Sequence, residues 1–77
     1  MTDQNDQSPV TVSRALRTAR ARLAEAGLET PALDAEVLLR HILGWDRTQI
    51  LSRPETAVAG SDAARFEDLL RQRLNGA

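Results

Sequence analysis

Apolar residues recur along this chain at the spacing of a helix face, and no stretch alternates in the manner of a strand. Between residues 11 and 26 they are Val12, Leu16, Ala19, Leu23 and Ala26, an i, i+4, i+7 series that marks one side of a helix. In the central run TPALDAEVLLRHILGW, Leu33, Val37, Leu38 and Ile42 follow the same rule from Thr30 to Trp45. Three apolar residues in succession, Val37-Leu38-Leu39, widen that stripe. A wide stripe predicts contact with more than one neighbour and makes this the central helix. A short third helix is expected over Asp46–Ser52 with Ile50 and Leu51 inward, and a fourth carries Phe66, Leu69, Leu70 and Leu74. Leu28, Trp45 and Val58 complete the expected core.

The residues at the ends of these runs agree with the pattern. Thr11 or Ser8 can cap the first helix, and Gly27 stops it with Leu28 folding back on Leu23 in a Schellman-type ending. Thr30 and Pro31 open the second helix, and Gly44 closes it. Asp34 and Glu36 lie near its positive end, and Glu36–Arg40 forms an i, i+4 pair, as Glu67–Arg71 does on the fourth helix. Asp46 caps the third helix, and Arg53-Pro54 breaks it, because a residue before proline avoids the helical region. Residues 54–60 form a surface loop tucked in by Val58. Ser61 is expected to cap the fourth helix, and Asn75-Gly76 can end it. The fold class is all-α, a small helical bundle of four to five helices with short connections.

Seventy-seven residues suit a single domain of marginal stability. Residues 1–9 are polar and lack periodicity, and they are expected to form a disordered tail ahead of a domain spanning residues 10–77. That polar start differs from a signal peptide, the apolar runs are too short for a membrane helix, and the cytoplasm is the default location. A net charge of −1 leaves no electrostatic footprint for nucleic acid. All ten basic residues are arginine, and cysteine is absent, which excludes disulfides and thiolate metal sites.

Candidate chemistry is sparse. The single histidine, His41, has no nucleophile or carboxylate partner placed by spacing, and one histidine cannot build a zinc site. Asp34 and Glu36 stand two apart on a helix and point in different directions, a poor arrangement for paired acid–base work. Arg14, Arg17, Arg20 and Arg22 spread around the first helix without forming one stripe. Trp45 can pack back onto Leu39 or the stem of Arg40, or serve as an aromatic anchor for a partner. Arg47 and Arg53 flank the short third helix as a small basic edge. Glycine-rich phosphate loops, metal-ligand spacings and nucleophile elbows are all missing, so no catalytic, cofactor-binding or metal residue is expected. The one candidate contact surface is Trp45, Arg47 and Arg53.

A resemblance goes further. LRTARARLAEAGL from Leu16 to Leu28, Thr30-Pro31, and above all Leu33-Asp34-Ala35-Glu36-Val37-Leu38-Leu39 resemble the N-terminal domain of the release-factor glutamine methyltransferases (PrmC, also called HemK). The likeness continues through His41-Ile42-Leu43-Gly44, Arg47-Thr48, Leu51 and the closing RFEDLLRQRLNG. It implies a small helical domain joined to a Rossmann-like domain that binds S-adenosylmethionine. In such proteins that second domain methylates the glutamine of the Gly-Gly-Gln motif in peptide chain release factors. Its cofactor loop and Asn-Pro-Pro-Tyr motif are not in these residues, so the implied role here is recognition and positioning of the release factor. The chain alone is then not an enzyme, although its parent is. Its implied partners are the release factor and the methyltransferase domain in cis, with no membrane and no direct nucleic-acid contact. A stand-alone helical interaction module using Trp45, Arg47 and Arg53 is the alternative. A small helix-turn-helix nucleic-acid binder is a third reading, from the short glycine turn between helices two and three.

Overall fold

The N-terminus of the first helix shows how the chain closes on itself. In the computed structural model, which describes residues 10–76, the helices are α1 (Val12–Glu25), α2 (Pro31–Leu43), α3 (Arg47–Ser52) and α4 (Gly60–Gly76). The expected tail of residues 1–9, and with it the alternative cap Ser8, lies outside the described residues. The first turn of a helix leaves backbone N–H groups without intrahelical partners. Here the Val12 N–H donates to the Thr56 carbonyl and the Ser13 N–H to the Pro54 carbonyl, both at 2.9 Å. The Arg14 N–H donates to Thr11 Oγ1 at 3.2 Å, so Thr11 is the cap. The loop after α3 therefore serves as part of the α1 cap. It is held there by an antiparallel bridge between Thr11 and Ala57 and by the Val58 N–H donating to the Val10 carbonyl at 2.7 Å. Val58 is buried, as its apolar character in a polar loop predicts.

At the other end of α1, Gly27 takes a positive φ of 86°. The Leu28 N–H reaches back to the Leu23 carbonyl and the Gly27 N–H to the Ala24 carbonyl, the two bonds of a Schellman motif. Gly44 does the equivalent for α2 at φ 69°, where the left-handed conformation lets the chain reverse into α3. Asp46 then caps α3 in a reciprocal box with Gln49: its side chain accepts from the Gln49 N–H at 2.8 Å, and the Gln49 side chain accepts from the Asp46 N–H at 2.9 Å.

The α2 helix packs against α1, α3 and α4, the central position its wide apolar stripe predicts. The face it buries differs from the expected one. Ala35, Leu39 and Ile42 point inward, with Leu39 fully buried, whereas Leu33 and Val37 are 51% and 49% exposed. Successive helical residues turn by about 100°, so Val37, Leu38 and Leu39 cannot all face one neighbour. The face containing Ala35 is the one that joins the core shared with Ala15, Ala19 and Leu23 of α1. Leu38 sits at the edge, half-buried against the core.

The same geometry corrects α3. Ile50 is buried and Leu51 is 63% exposed, because a single helical turn has one inward direction. Two cap expectations also change. Thr30 makes no side-chain bond to the helix backbone and instead donates to Asp34 Oδ1 at 3.4 Å, while Pro31 occupies the first turn as expected. Ser61 lies inside the first turn of α4, which begins at Gly60 with the Ala63 N–H donating to the Ala59 carbonyl at 2.8 Å.

Each helix contributes to one core: Val12 and Leu23 from α1, Leu39 from α2, Ile50 from α3, Phe66 and Leu70 from α4. Leu16, Leu28, Trp45, Leu69 and Leu74 pack partly buried around it. Two ion pairs tie α4 to its neighbours across the surface. Arg22 Nη1 meets both oxygens of Glu67 at 2.9 and 3.0 Å, and Arg73 reaches Asp34 at 3.4 Å. Among the described residues no helix is long and apolar enough to cross a membrane.

Candidate protein-binding surface

The three residues singled out as a contact surface lie at the α2–α3 corner. Gly44 turns the chain so that the Trp45 N–H donates to the Arg40 carbonyl at 3.2 Å. The indole is then half-buried against the core, with one side covered by Arg53, whose guanidinium carbon stands 5.9 Å from the ring centroid. That cation–π contact joins two of the three. Arg47, at the start of α3, turns instead toward α2.

Its target is Glu36, the residue for which helix-start electrostatics is an incomplete account. Glu36 is only 9% exposed, and its Oε2 lies 3.6 Å from Arg40 Nη1 and 3.5 Å from Arg47 Nε. The expected i, i+4 partner Arg40 is present, and the second partner comes from the next helix. Neither contact is a close hydrogen bond, and both Glu36 Oε2 and the Arg40 Nε are buried without one. A buried carboxylate is tolerated when cations surround it, and here two do. The sequence signal was available: Glu36 is a lone acid between Ala35 and Val37, three residues before the buried Leu39. What spacing does not show is that the Gly44 turn brings Arg47 back across it.

Glu36→Ala is expected to lower stability by about 1–2 kcal/mol, moderated because both arginines reach solvent. Arg47→Ala in the Glu36→Ala background should then add little, which a double-mutant cycle by chemical denaturation measures.

The remaining candidates separate. His41 is exposed beside a shallow depression lined by Ile42, Arg65, Asp68 and Leu69. Asp34 and Glu36 point to opposite sides of α2, one toward Arg73 of α4 and the other toward Arg47 of α3. The α1 arginines split in two: Arg14 and Arg22 line a cleft of about 210 Å³ between α1 and α4, and Arg17 and Arg20 line a groove beside α3. Among the described residues no three His, Cys, Asp or Glu side chains cluster as metal ligands. Chemically, the surface offers arginine donors and a half-buried indole, residue types enriched at protein interfaces.

Comparison with known proteins supplies the context. The PrmC N-terminal domain family matches residues 14–77. The release factor glutamine methyltransferase of Vibrio cholerae is 39% identical over 67 residues, covering 87% of this chain and 23% of that protein. The enzyme of the same name from Agrobacterium fabrum is 35% identical over 66 residues (86% and 23%), and that of Deinococcus radiodurans 40% over 58 residues (75% and 21%). No solved structure matches. The chain thus spans less than a quarter of the length of these relatives. With the matched residues running from the first turn of α1 to the end of α4, the chain belongs to the PrmC N-terminal domain family.

Proposed function

We propose that residues 10–77 form the substrate-recognition domain of a cytoplasmic release factor glutamine methyltransferase, holding the release factor while a second domain of the same protein performs methyl transfer. The observation that carries this reading is the family match across α1 to α4, together with relatives that bear that enzyme name. In this reading S-adenosylmethionine and the methylation of the Gly-Gly-Gln glutamine belong to the second domain. The contribution of this domain is positional. A tethered recognition surface raises the effective concentration of the substrate at the neighbouring site and offsets the entropy of orienting a large protein. Trp45, Arg47 and Arg53 are its assigned contact residues, with Arg53 presenting its charge over the indole.

Steady-state methylation of purified release factor tests this. Removing residues 10–77 from the whole enzyme is expected to raise KM for the release factor by about tenfold or more while altering kcat less, the signature of lost uniform binding. An unchanged KM would contradict a recognition role.

A further inference from the structure

Beside α3 runs a groove whose lining charge is one-sided. Two adjoining depressions of about 290 and 170 Å³ share Leu16, Arg20, Ile50 and Leu51, and Arg17 lines the larger. Leu51 is 63% exposed, more than any other large apolar side chain among the described residues. Six arginines pair with a carboxylate within 4.0 Å: Arg22, Arg40, Arg47, Arg65, Arg71 and Arg73. Arg14, Arg17, Arg20 and Arg53 pair with none among the described residues, and of these four Arg17 and Arg20 are the two that line this groove together, both exposed. The one carboxylate lining the groove, Glu36, is already engaged by Arg40 and by Arg47, which sits one turn before Leu51 on α3. The cleft between α1 and α4 differs in degree: Glu67 both lines it and neutralises Arg22, which leaves Arg14 as its single arginine without a carboxylate among the described residues. The exposed pair Leu33 and Val37 on the outer face of α2 likewise lies beside Asp34, which Arg73 pairs.

We propose that this groove docks an acidic segment of the release factor, with carboxylates on Arg17 and Arg20 and an apolar side chain against Leu51. The assignment rests on the recognition role proposed above and extends it from the α2–α3 corner to the α1 side of α3. Unpaired guanidinium groups present forked donors matched to carboxylates, and the exposed Leu51 beside them adds apolar area that a partner can bury. An arginine pair of this kind also accelerates encounter with an acidic partner in a salt-dependent way.

The test measures affinity of the 77-residue chain for full-length release factor by calorimetry at low and moderate salt, with circular dichroism checking each variant's fold. The double variant R17E/R20E is expected to bind at least about tenfold more weakly and to lose most of the salt dependence. Leu51→Asp should weaken binding comparably, and the control L33D/V37D should bind as the unsubstituted chain does. If the unsubstituted chain binds and R17E/R20E binds equally well, the groove assignment falls and the recognition role stands. If the unsubstituted chain does not bind at any accessible concentration, both fall. Loss of binding to single-stranded RNA in R17E/R20E, with release-factor affinity intact, would make the arginines a nucleic-acid surface and overturn the assignment.

Discussion

Leu39→Ala is expected to destabilise the domain by about 3 kcal/mol, whereas Val37→Ala, two residues earlier, should change stability by less than about 0.5 kcal/mol. Leu39 is fully enclosed by the core, so truncation removes apolar contact and leaves a cavity that a small bundle can close only in part. Val37 is half exposed, and alanine is the better helix former, so the second substitution approaches neutrality and can be mildly stabilising. A domain of this size has about 4–11 kcal/mol in total, so the first variant loses a large share of it. A thermal melt followed by circular dichroism should show the Leu39→Ala midpoint lower by about 12–24 °C. Equal losses from the two variants would place the α2 core face one residue away from its position here.

Val58→Asp is expected to cost about 2–4 kcal/mol, a large effect for a residue in a loop. The side chain is 7% exposed, and its backbone N–H holds the loop to Val10. An unpaired carboxylate at that depth forces the segment outward. The Pro54 and Thr56 carbonyls leave with it, and the first N–H groups of α1 lose their acceptors. Amide hydrogen exchange distinguishes this from generic destabilisation. Val12 and Ser13 should lose protection by local opening under conditions in which Leu39 and Leu70 remain protected. Uniform loss across the domain would mean that the loop is no separate capping unit.

These two positions also show how far the sequence reaches. Most helix ends were legible from local chemistry: Thr11, Gly27, Gly44 and Asp46 are each determined by a few neighbouring residues, whereas Thr30 and Ser61 do not cap as their identities suggest. The rotation of α2 was not, because Val37-Leu38-Leu39 offers two acceptable faces. The choice between them depends on the helices packed against it. Leu51 went the same way, beside an equally apolar Ile50. The role of the loop as a cap for α1 joins residues more than forty positions apart, and no local rule reports that.

The candidate surface divides along the same line. Trp45 and Arg53 are eight residues apart across a short helix, and the structure brings them into contact. Glu36 was visible as the i, i+4 partner of Arg40 but not as a buried hub, since the second arginine arrives through the Gly44 reversal. Arg17 and Arg20 looked like an unremarkable part of a scattered set, and only the position of α3 shows that they share a groove with Leu51. The four helices therefore read largely from local pattern, while the surfaces between them required the packing.

The proposed contact between this domain and the release factor is tested by titrating isotopically labelled chain with release factor and following amide chemical shifts. Shifts are expected to concentrate at the α2–α3 corner and the adjoining side of α1, with the outer face of α2 around Leu33 and Val37 unaffected. No shifts at high release-factor concentration, or shifts spread evenly over all four helices, would contradict that contact.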